Sequence, residues 1–153
     1  MKKQKVQKKF VYEGLGFPVV FRNVPMIEVR GVWTPDIDYN VLQKVVLLAL
    51  AHCPAELTGD QIHYIRSWFG MTKTEFGKKF GVTHPAVVKW EKAQDKVAKI
   101  GLTTQRDLRM MILDKLLSKD GDFRHAFKLI HELDFSASSE PLIVDAPLDL
   151  VAI

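Results

Sequence analysis

Cysteine is almost missing from this 153-residue chain, where Cys53 stands alone. One thiol excludes an internal disulfide framework and any CxxC zinc motif, and it suits a reducing, cytoplasmic setting. Long apolar runs are missing too. The longest, residues 45–51, falls far short of the roughly 20 residues that a bilayer-spanning helix needs, so no membrane partner is expected. The Lys-rich start is followed by polar residues, so no signal peptide is expected either. Catalytic signatures are lacking as well. The five histidines, at 52, 63, 84, 125 and 131, form no HExxH spacing, and no GxSxG, P-loop or dinucleotide fingerprint occurs. The expectation is a protein that is not an enzyme and uses neither cofactor nor metal.

What is present is an apolar fraction of 47%, enough for a real core, and a formal charge of +4 whose distribution matters more than its size. Residues 1–9, MKKQKVQKK, hold five lysines and read as a disordered basic arm. Residues 58–101 hold eight Lys or Arg against four Asp or Glu, a local excess of +4. The end, residues 136–153, carries Glu140, Asp145 and Asp149 with no basic residue, and reads as a flexible acidic-apolar tail.

Between these ends the pattern changes twice. In residues 10–35, FPVVF and MIEVRGVW read as short strands separated by Gly and Pro turns. Such a small sheet is only marginally stable without cover. A helix over residues 40–52, capped by Asp38 or Asn40 and stopped by Pro54, is apolar nearly all round and must be buried in the chain or in an oligomer. Residues 10–54 thus form a candidate partner or dimer module. From residue 55 to 135 the signals are helical. TGDQ from Thr58 and TKTE from Thr72 are capping boxes, a helix starts at Thr83, another at Thr104, and DFRHAFKLIHEL makes the last.

The stretch KKFGVTHPAVVKWEK holds a Gly and a Pro four residues apart, and both serve one sharp turn. Gly81 takes the left-handed backbone that ends the first helix. Thr83 caps the second, and Pro85 sits in its first turn, where no helical hydrogen bond is lost. Phe76, Phe80, Val82, Val87 and Trp90 supply a small shared core, and Gly77 lies where the two helices cross.

These residues, and GVTHPAVVKWE above all, resemble the Cro/phage-repressor class of helix-turn-helix domains, often called Xre-type, over roughly residues 57–117. The resemblance implies a mainly α fold: a five-helix repressor-like domain with a small N-terminal β segment and a flexible C-terminal tail. It departs from that pattern where Pro85 and Val88 stand on the DNA-facing side, and where AQDKVAKIG replaces the usual Gly-Pro after the second helix. The wider layout is similar to antitoxin-type regulators of the YgiT/MqsA-like or HigA-like sort. The former place a partner-binding module before such a domain and typically carry zinc cysteines there, which this chain lacks.

The resemblance implies DNA contacts from Thr72 and Lys73 at the start of one helix, and from Thr83, His84, Pro85, Ala86, Lys89 and Lys92 on the next. Lys89 suits guanine O6 and N7, and Ala86 and Val88 suit a thymine methyl. Lys78, Lys79, Lys96 and Lys99 join Lys92 as phosphate candidates. Trp90 is expected in the core, and Glu91 in an ion pair. The implied function is a homodimeric transcriptional regulator on a double-stranded operator, repressing its own gene as an antitoxin does. The alternative is a protein-interaction module that holds a toxin through its N-terminal strands or its tail, with DNA binding secondary.

Overall fold

A computed structural model describes residues 3–117, 120–136 and 140–145. Three strands open the chain: β1 (Gln4–Tyr12), β2 (Val19–Val29) and β3 (Val32–Pro35). Six helices follow: α1 (Tyr39–His52), α2 (Gly59–Trp68), α3 (Lys73–Lys79), α4 (His84–Glu91), α5 (Leu102–Leu116) and α6 (Asp120–Glu132). A fourth strand, β4 (Leu142–Asp145), returns to the sheet. The expected mainly α, five-helix domain with a small β segment is therefore overturned. The described residues form six helices and a four-stranded mixed sheet.

The basic arm is where that expectation first fails. Gln4–Tyr12 pairs antiparallel with β2 along its length, from Gln4 opposite Ile27 to Tyr12 opposite Val19. Its lysines lie on a strand at the sheet's edge, where charge stays solvated and discourages pairing with other chains. Phe10 and Tyr12 pack against the core from the other positions. FPVVF and MIEVRGVW, expected as separate strands, are divided differently: Val19–Val29 runs on as β2, and MIEVRGVW breaks at Arg30–Gly31 between β2 and β3. Asn23, at φ 57°, resets the alternation within β2, so that Val19 and Phe21 face the core before it and Val24 and Met26 after it. Arg30 and Gly31, both at positive φ, form the two-residue turn that brings Val32 opposite Val29.

β4 corrects the flexible tail. It pairs parallel with β2, Val19 to Arg22 against Leu142 to Asp145. β1 occupies one edge of β2, so β4 and β3 lie end to end along the other. Leu142 and Val144 are buried while Ile143 and Asp145 face out, which fixes the register, since a slip of one residue would reverse every side chain. Arg22 donates to both carboxylate oxygens of Asp145, at 2.7 and 3.0 Å, a solvent-exposed pair that adds little. The remaining tail positions, 137–139 and 146–153, lie outside the described residues, as do residues 1–2 of the arm.

α1 joins the sheet to the helices. Asp38 is its cap, accepting from the Asn40 and Val41 amides. Leu42, Val46, Leu47, Leu50 and Ala51 are buried, and the helix packs against β4, α5 and α6. Its nearly continuous apolar surface is thus largely used inside the chain. One core cluster runs from Val19 and Phe21 of the sheet through α1 to Phe76 and Val87.

Arg109 is the largest fully buried side chain. Its Nη1 donates to the Gln105 carbonyl at 3.0 Å and to Gln105 Oε1 at 2.6 Å. Its Nη2 donates to the carbonyls of Cys53 (3.1 Å) and Ala55 (2.7 Å), and Phe135 covers the guanidinium face. The loop after α1 pairs with the chain only at one bridge, Ala55 with Ser136, whose amide takes the Pro54 carbonyl, and Arg109 reaches across from α5 to the Cys53 and Ala55 carbonyls on either side. Burial draws its pKa down to about 10, which still leaves it charged at neutral pH. Arg109→Met keeps the apolar volume but orphans both carbonyls. It is expected to cost about 3 kcal/mol, read as a lower urea midpoint at unchanged slope. An unmoved midpoint would contradict the tie.

Candidate nucleic-acid interface

α2, α3 and α4 are set by their caps. Thr58 and Gln61 make a complete capping box, with the Gln61 amide on Thr58 Oγ1 at 3.2 Å and the Thr58 amide on Gln61 Oε1 at 3.0 Å. At Thr72 the hydroxyl accepts from the Glu75 amide at 3.1 Å, and α3 begins there. α3 ends in a Schellman turn. The Val82 amide donates to the Gly77 carbonyl at 2.9 Å, the Gly81 amide donates to Lys78, and Gly81 adopts φ 69°. α4 then starts at His84 with Thr83 as its backbone cap. Contrary to expectation, the Thr83 hydroxyl makes no capping bond. Pro85 has no amide proton to offer it, and the Ala86 amide already donates to the Thr83 carbonyl.

The small core expected beneath the turn is present. Phe76 and Val87 are fully buried and Trp90 nearly so. Phe76 meets Phe80 edge-on at 4.9 Å between ring centroids, and Phe80 lies 6.5 Å from Trp90. Gly77 is needed at the crossing, because a Cβ there would stand 2.7 Å from the Val82 carbonyl oxygen. A second close approach lies at the start of α2. At Gly59 a Cβ would stand 2.6 Å from both the Trp90 carbonyl oxygen and the Gln94 nitrogen, so α2 starts against the end of α4.

Glu91 makes the expected ion pair, and its partners are on α2. Arg66 holds both carboxylate oxygens, at 2.9 and 3.0 Å, and also donates to the Met71 carbonyl at 3.0 Å. His63 approaches the same carboxylate through Nδ1. Burial alone would raise the Glu91 pKa, but the hydrogen bonds from Arg66 and His63 outweigh it and hold the group below the usual glutamate range. Arg66 and His63 lie three residues apart on one helix face, a spacing that makes them neighbours and is the signal that could have named Glu91's partners.

With its back fixed, α4 turns its start and one flank outward. Thr83, His84, Pro85, Lys89 and Lys92 are exposed and Ala86 is half-buried. His84, Pro85, Val88, Lys89 and Lys92 together line one shallow depression. Lys89 and Lys92 make no ion pair among the described residues. Thr72, exposed, and Lys73, half-buried, stand at the start of α3 and are not part of that depression. The arrangement offers cations, one imidazole and small apolar groups on a helix end that stands clear of the core. No group of three His, Cys, Asp or Glu suited to a metal ion occurs among the described residues, and no helix among them is long and apolar enough to cross a membrane. No family model, curated protein or solved structure matches the chain.

The depressed pKa of Glu91 has a definite sign. The ionised form is favoured in the fold, so its contribution is complete above the unfolded glutamate pKa of about 4.3 and is lost as pH falls through the lower folded value. Glu91→Gln is expected to be about 3 kcal/mol less stable than the parent at pH 7. That gap should narrow as the same denaturation is run at successively lower pH below the ordinary glutamate range, and a gap independent of pH would refute the assignment.

Proposed function

We propose that this protein is a sequence-specific regulator that binds double-stranded DNA as a homodimer, in the manner of a phage-repressor-like autorepressor of the antitoxin type. The observation that carries the reading is α4 itself. Its inner side, Val87 and Trp90, is locked in the core, while His84, Pro85, Lys89 and Lys92 face out with no ion-pair partner among the described residues. The start of a helix so presented fits the major groove of a duplex. Lys89 would donate to guanine O6 and N7, His84 would meet a purine edge, and Ala86 and Val88 would meet a thymine methyl. Thr72, Lys73, Thr83 and Lys92 would hold phosphates on either side. One such helix gives limited affinity; two, a helical turn apart on a palindrome, give enough.

A second reading, docking of a toxin-like protein on the N-terminal strands, is favoured by one observation. Val6, Val29 and Val32 are exposed, and the strand register puts them on the outer face of the sheet. A partner held there would be released by Val32→Lys with duplex binding unchanged; retention would exclude that face.

The first reading is tested by Lys89→Ala. Specific duplex binding should weaken by about 1–3 kcal/mol in an electrophoretic shift, with the loss concentrated at one base position. An unchanged shift would mean that α4 does not lie in the groove.

A further inference from the structure

The stretch after α4 does more than connect it to α5. It turns back at Gln94, which has φ 54°. It is then pinned to the start of α2 by three backbone bonds: Gly59 amide to Lys96 carbonyl (3.2 Å), Asp60 amide to Gln94 carbonyl (2.9 Å) and Ala98 amide to Leu57 carbonyl (3.0 Å). A pocket of about 500 Å³ lies between this stretch and the flank of α4, within the size range of small-molecule sites. Trp90, Ala93 and Val97 line it with apolar surface, and Lys89, Lys96 and Lys99 stand around it. None of the three lysines makes an ion pair among the described residues. The carboxylates of the same stretch, Glu91 and Asp95, do not line the pocket, and Glu91 is paired with Arg66.

We propose that this pocket binds a small amphipathic anion, an apolar chain ending in a phosphate or carboxylate. Charge complementarity selects an anion, and the three lysines would surround its head. Phosphate alone would leave the apolar lining unused, and an uncharged apolar molecule would leave three cations unmatched. The wall is held by backbone hydrogen bonds, so little ordering is required on binding. Lys89 lines both this pocket and the depression proposed to meet DNA. A bound anion therefore competes with the duplex, and that second half rests on the duplex reading.

The test uses the full chain with octyl phosphate as probe, kept below its micelle-forming concentration and titrated by calorimetry. Inorganic phosphate and octanol are the controls. Octyl phosphate should bind at least tenfold more tightly than either control. The double variant Lys96→Gln/Lys99→Gln should lose at least tenfold of that affinity while its melting temperature is kept. Binding no tighter than that of octanol, or indifferent to the double variant, overturns the site. The titration contains no DNA, so its outcome is separate from the duplex reading. In a parallel duplex shift, octyl phosphate should raise the protein concentration needed. A duplex that binds normally and is undisturbed by saturating octyl phosphate overturns the competition.

Discussion

α4 can lie where it does only because backbone meets backbone at two points without a side chain between. At Gly77 the carbonyl of Val82 occupies the space a Cβ would need, and at Gly59 the carbonyls of Trp90 and Glu91 do the same. Both contacts are too short for alanine without a shift of main chain. They set α3 across one end of α4 and α2 across the other. The aromatic contacts of Phe76, Phe80 and Trp90 then fill the angle, and Arg66 closes it by neutralising Glu91. What remains of α4 is a helix start whose His84 and Pro85 are exposed. The exposure of His84, Pro85 and Lys89 is thus a consequence of how tightly the opposite side is held.

The same economy joins the two ends of the chain. α1 is apolar on nearly every side because it has partners on several: β4, α5 and α6. Arg109 reaches from α5 to the Cys53 and Ala55 carbonyls that follow α1. Burying a guanidinium is costly, as its lowered pKa records, and it is tolerated because the alternative is a pair of buried, unmatched carbonyls. Sheet and helices consequently share one core.

The helical corner was legible because several local signals coincided: the Thr58 and Thr72 caps, Gly81 at the left-handed turn, Pro85 in a first turn, and aromatics at helical spacing. Each of these acts within a few residues of itself. The sheet was only half legible, for the opposite reason. β1 reads as a lysine-rich arm because its charges are the ones an edge strand tolerates, and its partner is decided by a turn further on. β4 is four residues long and pairs with a strand more than a hundred residues earlier, so no local pattern announces it. Asn23 hides the alternation of β2 by changing its phase midway. Arg109 sits in a helical pattern as any solvated arginine would, and its partners are main-chain carbonyls that carry no sequence signal. Of the residues that the resemblance offers for DNA contact, Thr83, His84, Pro85, Lys89 and Lys92 are exposed on or beside α4. The clamp beneath them was visible only as a lone Glu91 in need of a cation.

The central claim is that the start of α4 reads a duplex. Selection of bound sequences from a pool of random duplexes tests it most directly. The account predicts enrichment of an inverted repeat whose half-sites lie about one helical turn, roughly 10 base pairs, apart. Recovery of no preferred sequence, in dilute as well as physiological salt, would contradict it.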